Sequence, residues 1–248
     1  MKIKLFLIHG AFQGGFVWKS FLPRLQAFDY EVFAPTLVGN TLSEHINQIC
    51  HQISELPDER VALVGHSYGS LVVTGVAKAL PDRISGLTYL DAPLPTHPDG
   101  APQSLLDILG PDVEKFFRAQ TTEGTVAAFP PASFGLDPEV HGDIIAQHAG
   151  QALGCFTEKG ASWHPNDRPA YPVSYIQCAP NEFTDAQVAK ASTLNFNVSH
   201  IPDSGHCPMI THPGELLRVM NEEVFPQMKA FIKQQETCAS DHAKTLAI

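Results

Sequence analysis

Apolar residues along this chain fall in short, nearly unbroken runs separated by longer stretches of helical spacing. The runs are Ile3–Ile8, Tyr30–Phe33, Arg60–Val64, Gly86–Leu90, Val173–Cys178 and Phe196–Ile201. Continuous apolar character suits strands covered on both faces, as in a buried parallel sheet. Periodicity near 3.6 predicts helices over Phe16–Ala27, Leu42–Leu56, Tyr68–Leu80, Asp185–Ala191 and Gly214–Gln234, with Pro81 ending the third. Strands alternating with helices in this way predict an α/β fold, a mostly parallel central sheet with helices on both faces.

The rhythm breaks between Pro93 and Pro172. Prolines multiply there, and the amphipathic pieces Gln103–Leu109, Val113–Gln120 and Pro138–Gln151 follow one another without obvious strands between them. The expected organisation is therefore a core made of residues 1–92 and 173–236, a helical cap insertion over 93–172, and a polar tail over 237–248, either disordered or packed on a neighbour. Phe116, Phe117, Phe129, Phe134, Phe156 and Trp163 either roof a pocket at the sheet's carboxyl edge or fill the insertion's own core.

A chain of 248 residues, 44% hydrophobic, is long enough for one large domain. Its formal net charge of −10 comes without any cluster of Lys or Arg to track phosphates, so nucleic acid is not an expected partner. Five scattered cysteines with no CxxC pair read as reduced thiols rather than a disulfide or zinc framework. The apolar opening Ile3–Ile8 is too short for a signal peptide, and no run reaches the roughly 18 apolar residues of a membrane span. The expectation is a soluble, cytoplasmic protein.

Chemistry concentrates at Gly65-His66-Ser67-Tyr68-Gly69, between the strand ending at Val64 and the helix of Leu71, Val72 and Val73. Strand, sharp turn and helix are the context that the G-x-S-x-G motif requires. The turn is tight enough that side chains at 65 and 69 would collide with neighbouring backbone. Ser67 is thereby raised above the sheet, near a helix N-terminus whose amides favour developing negative charge. His66 is expected to point away and to pack or hydrogen bond within the turn.

On these residues the chain resembles the α/β-hydrolase family along almost its whole length. His9-Gly10-Ala11, after the first strand and followed by Gly14, Gly15 and Trp18, is similar to the oxyanion loop of the small esterase and hydroxynitrile-lyase branch. The resemblance implies that the backbone N–H groups of Ala11 and Tyr68 hold the oxyanion and that His9 supports the loop. A serine hydroxyl needs a base, and Gly205-His206, after the strand Phe196–Ile201, matches the family's last motif. His200 lies within that strand and His212 abuts Pro213, so both read as structural. The chemistry needs no cofactor, and the histidines lack the spacing of a metal site.

The third member of the triad is a carboxylate that fixes the histidine tautomer. Many family members carry it after the strand equivalent to Val173–Cys178, but the sequence there is Ala179-Pro180-Asn181-Glu182-Phe183-Thr184-Asp185. Asn181 stands in the aspartate's place, Glu182 is shifted by one, and Asp185 reads as a helix cap. Asp91, at the end of Gly86–Leu90, is preferred, because the strand after the nucleophile's helix should lie beside the nucleophile's own strand. Glu182 stays open as the alternative. The function this implies is hydrolysis of a small, hydrophobic carboxylic ester, lactone or thioester through an acyl-enzyme. A hydroxynitrile-lyase reading ranks lower, because Cys207 stands where those enzymes carry a lysine. A non-catalytic receptor on the same fold also ranks lower, and a homodimer stays open.

Overall fold

The computed structural model describes residues 3–28, 30–57, 59–178 and 180–246, with only the backbone path for 239–246. Nine strands lie among the described residues: β1 (Ile3–Ile8), β2 (Tyr30–Phe33), β3 (Val61–His66), β4 (Ile84–Leu90), β5 (Thr121–Thr122), β6 (Thr125–Val126), β7 (Gln151–Ala152), β8 (Val173–Gln177) and β9 (Asn197–His200). Six of them form one sheet in the order β2-β1-β3-β4-β8-β9, with every pairing parallel. Parallel strands buried on both faces explain the continuous apolar runs: β1, β3, β4 and β8 are buried at every position. Helices cover both faces. On β4, the Tyr89 hydroxyl meets Thr74 of the helix Gly69–Ala79 at 2.7 Å, whereas Gly86, of opposite parity, faces Met228 of the helix Phe225–Leu246.

Register brings the chemistry to one edge. Gly65 pairs with Ile8 on one side and Tyr89 on the other, and Leu90 pairs with Ile176, so β1, β3, β4 and β8 end at the same level. The loops that follow them carry Ala11, Ser67, Asp91 and Asn181. Such a carboxyl edge is where open α/β sheets place their ligands.

Four expected features differ in the structure. Phe16–Ala27 is not one helix: a 3-10 turn over Gly15–Trp18 is followed by a short helix over Leu22–Gln26, entered through Pro23. Gly15, just before this segment, packs so tightly against the Ala34 carbonyl that a Cβ there would overlap it. Gly214–Gln234 divides into helices over Pro213–Val219 and Phe225–Leu246, joined by a π-helical turn over Met220–Val224. The tail expected from Thr237 continues this last helix to Leu246, and 247–248 lie outside the described residues. Asp185 does not open a helix. Asn181 caps Glu182–Thr193, its side chain accepting the N–H groups of Phe183 and Thr184.

Between β4 and β8 the chain forms short helices over Leu105–Leu109, Pro111–Ala119, Pro138–Ile145 and Gly154–Thr157, together with the antiparallel sheet β5-β6-β7. Two-residue strands are too short to show a period in sequence. Phe117, Phe129 and Phe134 line the cavity above the main sheet. Phe156 packs behind Phe12 and Phe117, Phe116 is exposed, and Trp163 donates to Tyr89 and meets Phe196 edge to face, away from that cavity.

Candidate active site

Ser67 occupies the turn between β3 and the helix Gly69–Ala79 with φ of +51°, a left-handed conformation for a non-glycine residue. Strain of this kind is held in place only by its surroundings. Here they are dense. A Cβ on Gly65 would lie 2.7 Å from the Gly69 carbonyl, and one on Gly69 would lie 2.8 Å from the carbonyls of Ile8 and His9. Ser67 N–H donates to the Leu90 carbonyl at 3.2 Å, tying the turn to the end of β4.

Asp91 follows directly, also left-handed at φ of +44° and 3% exposed. Its N–H donates to Ile176, its Oδ1 accepts the Cys178 N–H at 2.8 Å, and its Oδ2 lies 2.8 Å from Nδ1 of His206. A carboxylate so held fixes the imidazole's orientation and keeps a proton on Nδ1, leaving Nε2 at the far side of the ring. His206 and Ser67 line the same cavity as Asp91, Ala11 and Tyr68. Glu182 is exposed at the start of its helix and does not line that cavity. The structure thus brings Ser67, His206, Asp91, Ala11 and Tyr68 together and leaves Glu182 apart.

His66, expected to pack within the turn, makes a longer-range contact. It is fully buried, its Nε2 lies 2.7 Å from the His206 carbonyl, and its ring sits 4.7 Å from that of His206. Burial, reinforced by the neighbouring histidines, holds its pKa well below the usual value, so the neutral ring donates from Nε2 to the carbonyl. The residue before the serine therefore positions the backbone of the histidine 140 residues away. His9 has a similar place under the loop that follows β1. Its Nε2 accepts the Leu37 N–H at 2.9 Å, so Nδ1 carries the proton and donates to the Gly10 carbonyl at 2.8 Å. In a trans peptide the C=O and the following N–H point in opposite directions. Fixing the Gly10 carbonyl on His9 thus turns the Ala11 N–H to the other side of that peptide plane.

Burial lowers the pKa of His9 to about 4. The unfolded chain takes up a proton near pH 6.5 that the folded site refuses until about pH 4, so stability is full above pH 6.5 and falls as pH drops through this window. The expected loss from His9 is roughly 3 kcal/mol, and His66 acts with the same sign. Urea unfolding at pH 7 and pH 4.5 measures this. His9→Gln, which keeps one donor and one acceptor, should show a shallower decline, and a flat native profile would contradict the reading.

The cavity measures about 490 Å³ and is walled by Phe12, Leu105, Leu109, Val113, Phe117 and Phe129, with polar groups gathered at its floor. An apolar chamber converging on a few polar atoms is the common form of a small-molecule site. Among the described residues no cluster of His, Cys, Asp and Glu is suited to a metal. None of the described helices is long and apolar enough to cross a membrane.

A doubly covered parallel sheet with a strained serine turn at its carboxyl edge defines the class of hydrolases built around such a turn. A model of the alpha/beta hydrolase family matches residues 5–219, and the chain belongs to that family. Among curated relatives, it is 37% identical over 124 residues to a carbendazim hydrolyzing esterase of Nocardioides sp. (strain SG-4G), a match covering 45% of this chain and 50% of that one. It is 33% identical over 117 residues to methylesterase 1 of Arabidopsis thaliana, covering 42% and 44%. The matched stretch thus spans half or less of these relatives. Among solved structures, polyneuridine aldehyde esterase superposes with a TM-score of 0.69 at 18% identity, covering 90% of this chain and 99% of that one, a likeness of fold.

Several contributors gave no sign in the sequence. Cys178 acts through its N–H, which any residue but proline supplies. Gln13, which accepts the Gly10 N–H at 3.3 Å and donates to Cys207 at 3.5 Å, carries no motif.

Proposed function

We propose that the protein is a serine hydrolase that cleaves small, largely apolar carboxylic esters through an acyl-enzyme. The observation that carries this reading is the 2.8 Å bond from Asp91 to His206 in the cavity that also holds Ser67 on its strained turn. Asp91 holds His206 with Nε2 available to take the proton of Ser67 as its Oγ attacks the carbonyl carbon. The carbonyl oxygen, now negative, is stabilised by the N–H groups of Ala11 and Tyr68. His206 then passes its proton to the leaving alcohol, and water completes the cycle by the same steps. The apolar walls select an uncharged acyl or alcohol group, and curated relatives carrying the names esterase and methylesterase agree with ester substrates.

The lyase alternative expects a cation beside the base. Cys207 stands there, fully buried, a neutral thiol whose pKa burial pushes up to about 12, and a cysteine side chain carries no positive charge in either of its protonation states. Five unpaired cysteines fit a reducing, cytoplasmic setting. The test is a panel of p-nitrophenyl esters of graded chain length, together with labelling by a fluorophosphonate. Turnover favouring medium-length acyl groups and stoichiometric labelling are expected. Absence of both turnover and labelling would overturn the reading.

A further inference from the structure

Three consecutive peptide planes make up the loop after β1, and each is held by a different partner. The Gly10 carbonyl rests on His9 at 2.8 Å. The next plane is held where the Phe12 N–H donates to Oε1 of Gln151 at 2.9 Å, and the third where the Ala149 N–H donates to the Phe12 carbonyl at 3.0 Å. The last two partners lie 137 to 139 residues further on, at the start of β7. Phe12 itself is left-handed at φ of +65°, which costs a non-glycine residue about 1 kcal/mol or more, so the loop gains by rotating away when its clamps are removed. That rotation acts on the peptide adjoining Ala11.

The same segment also reaches the second arm of the oxyanion site. Cys155 contacts both Gln151 and the Tyr68 hydroxyl, which in turn bonds Nδ1 of His45 at 2.8 Å. The Phe12 ring packs on Phe117, Phe129 and Phe156, at centroid distances of 6.3, 4.7 and 5.5 Å.

We propose that Gln151 is a positioning residue for the oxyanion site: by accepting the Phe12 N–H it locks the Ala11–Phe12 peptide, so that the Ala11 N–H meets the reacting oxygen only while the segment carrying β7 is docked. The inference rests on the serine-hydrolase reading. It implies that the segment between β4 and β8 contributes to stabilising the transition state as well as to enclosing the substrate.

The test compares native enzyme with Gln151→Met, which has the same length but no amide, and Gln151→Glu, which keeps an acceptor oxygen. Three quantities are read: kcat and KM on a p-nitrophenyl ester, affinity for an alkyl trifluoromethyl ketone, and affinity for the matching alkyl alcohol. The ketone reports on the oxyanion site directly. Ser67 Oγ bonds to its carbonyl carbon, the carbonyl π pair moves to oxygen, and the serine proton passes to His206. For Gln151→Met, kcat should fall roughly 10- to 100-fold with KM within about threefold. Ketone affinity should fall by the same factor while alcohol affinity holds, and Gln151→Glu should recover most of the loss. Unchanged ketone affinity, equal losses for the alcohol, or no recovery in Gln151→Glu would overturn the proposal. Should Gln151→Met not fold, Gln151→Asn, whose amide falls short of Phe12, is expected to give the same pattern. Native enzyme that neither turns over the ester nor binds the ketone would sink the serine-hydrolase reading itself. Native turnover lost only in Ser67→Ala, with Gln151→Met indistinguishable from native, would sink the positioning role alone.

Discussion

Ser67→Ala is expected to lower ester turnover by about a million-fold, leaving only what the oxyanion donors and the cavity supply without a nucleophile. The change deletes a single oxygen at the cavity floor and leaves the Ser67 N–H on the Leu90 carbonyl, so far-ultraviolet dichroism should not change. A companion variant, Ser67→Gly, separates catalysis from stability. At φ of +51° glycine adopts the native conformation without the penalty that serine carries, which is about 1–2 kcal/mol before its extra freedom in the unfolded chain is counted. It should therefore be as inactive as Ser67→Ala and at least as resistant to urea as the native protein. An active Ser67→Ala would mean that the nucleophile lies elsewhere.

Asp91→Asn carries the next largest effect, a fall in kcat of about 10⁴-fold. Asparagine tolerates the left-handed backbone at this position and can still accept the Cys178 N–H, so the fold has little reason to change. What changes is the partner of His206. An amide nitrogen facing Nδ1 favours the wrong tautomer and gives no negative charge to an imidazolium. Glu182→Gln, on an exposed helix start outside the cavity, should alter kcat by less than about threefold. Steady-state kinetics on one p-nitrophenyl ester decides between the two carboxylates, and the opposite order of effects would transfer the acid's role to Glu182.

Much of the sheet was legible because parallel strands buried on both faces leave apolar runs that interruption by turns makes plain. Ile3–Ile8 and Tyr30–Phe33 match β1 and β2 at both ends. The glycines flanking Ser67 were legible for a steric reason that the structure makes explicit, since a Cβ on either would come within about 2.8 Å of a carbonyl oxygen. What could not be read depends on contacts between distant segments. Gly15 packs against the Ala34 carbonyl, and the π turn at Met220–Val224 lies within an otherwise unbroken helical period. Gln151 lies on a two-residue strand and serves a backbone N–H 139 residues earlier, for which no spacing rule exists. Asp91 was approached by adjacency: β4 follows the helix after Ser67 and pairs with β3, which puts Asp91 within reach of whatever β3 delivers.

That adjacency also bears on how such a protein can diversify. Ser67 and Asp91 belong to one compact strand-helix-strand unit, β3 through β4, and the 3.2 Å bond from Ser67 to Leu90 closes it. Every residue of the stretch from 93 to 172 enters the chain after both, so lengthening, shortening or replacing that stretch shifts neither member of the pair. Only His206 arrives from beyond it, carried on strands registered to β4. A stretch grafted from elsewhere would thus leave Ser67 and Asp91 in place, and it would need to bring partners of its own for the Phe12 N–H and carbonyl.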